Sequence, residues 1–126
     1  MAAAERIVRP GGIIVMAAAC EDGVPVGGAF ARLLADASTP ADLVGATGVP
    51  ELDRWQAQVL GRVLDRADVL LFADGLHGNA PARGLFSLAP DLDGAVASAL
   101  GRLGPGARVA VMPEGPLTVA TVRAGG

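Results

Sequence analysis

Eight side chains capable of acid–base, nucleophilic or ligand chemistry fall in three turn-rich stretches. They are Cys20, Glu21 and Asp22; then Asp74, His77, Asn79 and Arg83; then Glu114. Each grouping suggests a chemistry and falls short of it. His77 and Cys20 are the only histidine and cysteine, whereas zinc takes three or four such ligands at tight local spacing. No metal site is expected from this chain alone. A nucleophilic thiol needs a positive neighbour or a helix N-terminus to hold the thiolate. Cys20 instead adjoins Glu21 and Asp22, so a structural thiol is expected. Glu21-Asp22 suits a carboxylate pair or a solvated turn, and the turn is the commoner use. Asp91 and Asp93 are accounted for by helix capping and the helix dipole. Residues 23–28, Gly-Val-Pro-Val-Gly-Gly, resemble a phosphate loop. Their spacing departs from the dinucleotide fingerprint, and Pro25 removes a donor. No nucleophile, base and orienting group assemble from this set, and no catalytic residue is assigned.

The elements that position these groups follow from periodicity. Residues 2–9 read as the tail of a helix, stopped by Pro10-Gly11-Gly12. Residues 13–18 are continuously apolar and begin with β-branched side chains, as in a strand covered on both faces. Residues 28–37 form a short helix carrying Phe30, Leu33 and Leu34, and residues 38–50 read as a linker. A longer helix spans 51–66, with Leu52, Trp55, Val59 and Val63 on one apolar stripe. A second buried strand covers 69–73, followed by a long loop over 74–90. Asp91 caps a helix over 92–103 with Leu92, Val96 and Leu100 on one face. A third buried strand is expected at 108–112 and a short edge strand at 117–122. Strands alternating with helices predict an α/β fold, a small three-layer domain over 1–126 with a three- or four-stranded, mostly parallel sheet. In such sheets ligands bind beyond the carboxyl ends of the strands. That edge would gather the loops 19–27, 74–90 and 113–116.

Composition narrows the partners. Ten basic residues, all Arg, stand against 13 acidic ones, for a net charge of −3. No basic stripe exists to neutralise phosphates, so no nucleic acid partner is expected. The longest apolar run, 13–20, is far below the ~20 residues that span a bilayer, and no membrane association or secretory signal is read. One cysteine forms no internal disulfide, which fits a cytoplasmic location. Aromatics are scarce: Phe30, Phe72, Phe86 and Trp55. Trp55 lies on the apolar stripe and so reads as core, but its ring edge also suits a partner surface.

The ordered motifs resemble a known family. Residues 4–15 (A-E-R-I-V-R-P-G-G-I-I-V), 20–23 (C-E-D-G), 54–60 (R-W-Q-A-Q-V-L), 67–72 (A-D-V-L-L-F) and 107–115 (A-R-V-A-V-M-P-E-G) are similar to the C-terminal domain of the nickel-pincer lactate racemases. The resemblance spans nearly the whole chain. It implies part of an isomerase that racemises or epimerises 2-hydroxy acids by moving a hydride to and from a nickel pincer nucleotide. In that family the lysine tether, the nickel-ligating histidine and the histidine bases lie in an N-terminal domain. A substrate-contacting Y-Q-x-x-K segment precedes the helix tail. On this resemblance the chain alone binds no cofactor and is inactive. Its partner is the N-terminal catalytic domain, with a homodimer as a further expectation, and Trp55 is its one cofactor contact. Two other readings are a free-standing small-molecule-binding or interaction module, and an independent enzyme using Glu21, Asp22 and His77.

Overall fold

Backbone hydrogen bonds join three strands into one fully parallel sheet in the order β1-β2-β3, as a computed structural model of residues 1–23, 27–76 and 84–123 describes. β1 (Gly12–Ala18) pairs with β2 (Ala67–Ala73) along its full length, with Gly12 opposite Ala67 and Ala18 opposite Ala73. β3 (Ser87–Leu88) adds a short pairing to Leu70 and Leu71. The helices are α1 (Ala2–Glu5), α2 (Ala29–Asp36), α3 (Pro40–Val44), α4 (Glu51–Arg66) and α5 (Leu92–Leu103). The α/β class with a parallel sheet is as expected.

Helices cover both faces of the sheet. Val69 of β2 packs in one cluster with Val63 and Leu64 of α4, Leu34 of α2 and Leu43 of α3. Successive strand residues alternate faces, so Asp68 points the other way, and there its carboxylate pairs with Arg102 of α5. α4 leads directly into β2: Arg66 ends the helix and Ala67 starts the strand. Arg66 also ties the chain before β1, because its Nε donates to the Val8 carbonyl at 2.9 Å and its carbonyl accepts from Gly11 N–H at 2.9 Å.

Residues 38–50, expected as a linker, contain α3. Thr39 and Asp42 form a reciprocal capping box, and Pro40 opens the helix. The helix is short, so no apolar period betrays it, yet Leu43 is fully buried. Burial of a leucine contributes about 1.5–3 kcal/mol. α3 lies so close to α4 that a Cβ on Gly61 would fall 2.8 Å from the Pro40 carbonyl oxygen. Glycine is needed there for close approach.

Three further expectations are corrected. Residues 108–112 are not in the sheet: Val109 is 65% and Val111 80% exposed, and the third strand is Ser87–Leu88, inside the stretch read as loop. A strand exists only where a neighbour offers a ladder, and β2 offers it to 87–88. Among the described residues, 117–122 form no strand; Gly115–Leu117 is a 3-10 turn. The helix tail read over 2–9 is helical only over Ala2–Glu5.

The apolar stripes are also displaced. On α4, Leu52 and Trp55 are exposed, while Ala57, Gly61, Val63 and Leu64 are buried. On α5 the buried residues are Ala95 and Ala99, and Leu92, Val96 and Leu100 stay about two-fifths exposed. Small side chains allow a helix to sit close against a sheet, which leaves the larger neighbours at the margin.

Candidate functional site

At the carboxyl edge of the sheet, β1 and β2 end side by side and their following loops interlock through the backbone. Gly75 N–H donates to the Ala19 carbonyl at 2.9 Å, and Gly23 N–H donates to the Cys20 carbonyl at 2.8 Å. Cys20 takes φ +48°, an uncommon conformation for a residue with a Cβ. A Cβ on Gly75 would collide with the Cys20 carbonyl oxygen. The Cys20 side chain is partly buried and packs on the cluster of Leu71, Ala73 and Leu76. It is a packed thiol at a rigid turn.

Glu21 and Asp22 are exposed in that turn, as a solvated pair would be. His77, Asn79 and Arg83 lie outside the described residues, as does part of the 23–28 loop. Glu114 is exposed, and its carbonyl accepts from Leu117 N–H and from the Thr118 hydroxyl at 2.9 and 2.8 Å. The 3-10 turn that follows it rests beside α1. The edge therefore gathers two of the three expected loops. The third does not join them because 108–112 forms no strand to carry it there.

Among the described residues, no cluster of three His, Cys, Asp or Glu side chains is placed to hold a metal ion. Asp91 and Asp42 are engaged as caps. Asp91 Oδ1 accepts from Gly94 N–H at 2.6 Å. Asp42 Oδ2 accepts from Ser38 N–H at 2.9 Å and Thr39 N–H at 2.8 Å. Those backbone donors, Ser38 first and Thr39 second, hold the Asp42 carboxyl below its ordinary range.

Trp55 stands elsewhere, in the second turn of α4. Its side chain is 59% exposed and forms one wall of an open groove of about 310 Å³. Met1, Phe30, Val59, Leu60 and Val63 are among its apolar lining, and Gln56 is its polar side chain. A half-exposed indole beside an apolar groove offers a flat π face to a ring. Periodicity had placed Trp55 on the stripe. Its exposure arises because the first turns of α4 run past the residues that α2 and α3 bury.

A family profile described as the lactate racemase C-terminal domain matches residues 1–120. The chain belongs to that family. The lactate racemase of Lactiplantibacillus plantarum is 34% identical over 120 residues, covering 91% of this chain and 28% of that protein. The lactate racemase of Thermoanaerobacterium thermosaccharolyticum is 29% identical over 120 residues, with the same shares. The solved structure of the lactate racemase apoprotein from T. thermosaccharolyticum superposes with a TM-score of 0.71 at 26% identity, covering 95% of this chain and 29% of that one. The chain thus spans somewhat over a quarter of the length of the curated relatives it matches. As a lactate racemase C-terminal domain, it carries the resemblance read in its motifs through both sequence and fold. No helix among the described residues is long and apolar enough to cross a membrane.

Proposed function

We propose that the chain works as the C-terminal domain of a larger, cytoplasmic 2-hydroxy acid racemase or epimerase, covering an active site held mainly by an N-terminal catalytic domain. The observation that carries this reading is the exposed Trp55 beside its apolar groove. Membership of the family supplies the reaction class.

The donor set fits one part of a nickel pincer nucleotide and not the other. Among the described residues no cluster of three His, Cys, Asp or Glu side chains is placed to hold the metal. The Trp55 indole offers a face for a planar organic ring. Bound in the whole enzyme, such a cofactor would supply hydride-accepting and hydride-donating chemistry at the 2-hydroxy carbon. Trp55 would bind and orient that ring from the domain side. Phe30, Val59 and Leu60 would exclude water from the closed site and so protect the transferred hydrogen from exchange. Proton transfer at the substrate hydroxyl falls to residues outside this chain.

The test is racemisation of lactate and other 2-hydroxy acids by the whole protein loaded with cofactor. The 126-residue chain alone should be inactive, and inactivity of the loaded whole protein on every 2-hydroxy acid tried would refute the reading. Trp55→Ala in the whole protein should lower kcat/KM by about tenfold or more, equivalent to about 1.4 kcal/mol of transition-state stabilisation. Its thermal midpoint should hardly move, because the ring is mostly outside the core.

A further inference from the structure

The groove beside Trp55 has a lining of uniform chemistry. Val59, Leu60 and Val63 of α4 and Phe30 of α2 line it with Trp55, and Gln56 supplies one uncharged amide. α4 carries Glu51, Asp53, Arg54, Arg62, Asp65 and Arg66, yet among the described residues no charged side chain lines the groove. Val63 is almost fully buried, Phe30, Val59 and Leu60 are partly buried, and Trp55 and Gln56 are exposed. The lining therefore grades from an apolar floor to a mouth made by an indole and an amide. Its volume of about 310 Å³ lies at the lower end of the range for small-molecule sites, about 300–1,000 Å³.

A 2-hydroxy acid presents three groups to an enzyme: a carboxylate, a hydroxyl and the substituent on C2. A carboxylate buried without a cationic partner is costly, and the groove has no such partner to offer. The hydroxyl needs an acid–base group, which the groove also lacks. The substituent is the group that matches the lining. A bulky apolar substituent gains from every methylene it buries there. A hydroxylated substituent would bury several polar groups against a single amide, and each unsatisfied one weakens binding. A second carboxylate would enter with no counter-charge.

We propose that the Trp55 groove holds the C2 substituent of the substrate and selects 2-hydroxy acids whose substituent is a branched aliphatic or aromatic group. This proposal rests on the racemase reading and deepens it. The reacting carbon stays with the catalytic domain, and Phe30, Val59, Leu60 and Val63 set the preference from the domain side.

The test compares five substrates on the whole protein loaded with cofactor: lactate, 2-hydroxy-4-methylpentanoate, 3-phenyllactate, malate and gluconate. The kcat/KM for 2-hydroxy-4-methylpentanoate and 3-phenyllactate should exceed that for lactate by at least about tenfold, because each extra buried methylene gives roughly a fourfold gain. Malate and gluconate should fall below lactate. Val59→Phe fills the groove and Leu60→Asn makes it polar, and each should bring the ratio of large to small substrate toward one. A parent protein that favours lactate, malate or gluconate would overturn the pocket and leave the racemase reading standing. The same result is expected if side chains of the catalytic domain already fill the groove. Racemisation of none of the five would instead refute the racemase reading. A second readout needs no cofactor. In the 126-residue chain, millimolar 3-phenyllactate should shift the NMR methyl signals of Val59, Leu60 and Val63, and gluconate should not. Unmoved methyl signals with 3-phenyllactate, or equal shifts with gluconate, would overturn the pocket.

Discussion

Asp42 illustrates how a residue in an unpromising stretch holds a helix. It accepts from two backbone N–H groups ahead of α3, and these favour its ionised form. Its carboxyl is therefore lower in the folded chain than in the unfolded one. The stabilisation is present above the unfolded value of about 3.9 and is lost as pH falls through the folded value. Asp42→Asn should lower stability at neutral pH and flatten the acid limb of a stability–pH curve, measured by urea denaturation between about pH 2 and 6. Leu43, the next residue, is fully buried, and Leu43→Ala should cost about 2–5 kcal/mol in the same assay. Cys20 sits at the opposite pole: its thiol packs, and its backbone conformation makes the turn.

Elements are where small side chains decide positions. Gly61→Ala would press a methyl against the Pro40 carbonyl and Val44. It should destabilise by about 1–3 kcal/mol despite alanine's better helix propensity, seen as a lowered urea midpoint. α5 begins where Asp91 satisfies Gly94 N–H. Asp91→Ala should cost about 1 kcal/mol, with loss of amide protection concentrated in the first turn of α5. α5 buries Ala95 and Ala99 and leaves its larger apolar residues at the margin, whereas α4 buries Val63 and Leu64 beside Ala57 and Gly61. The sequence stripes marked the large residues, since hydrophobicity scales weight size. Packing at close range weights fit.

For the molecule as a whole, two sets of exposed apolar groups among the described residues matter most. Leu52 and Trp55, near the groove on α4, face outward toward the proposed catalytic domain. The α5 stripe of Leu92, Val96, Leu100 and Leu103 and the exposed Val109 and Val111 lie on other parts of the chain. Light scattering separates these from self-association: a concentration-dependent dimer would mean that one of these surfaces pairs with a second copy. A monomer that gains affinity for the N-terminal domain, and loses it on Leu52→Asp, would place that interface on α4.

Much of this protein was legible in its residues alone. Continuous apolar runs located β1 and β2, the apolar period located α4 and the Asp91 cap α5, and alternation of strands with helices implied a parallel sheet. Ordered motifs pointed to the lactate racemase family, and the family profile bears that out. These features are local, set by backbone propensity, capping and periodicity within about a dozen residues. What the tertiary structure decided was non-local. It chose 87–88 over 108–112 as partner for β2's neighbourhood, put Ala95 and Ala99 inside and Leu100 at the margin, and left Trp55 at a groove. Each of those outcomes depends on which surface arrives opposite a residue, and a one-dimensional pattern carries no information about the opposing surface.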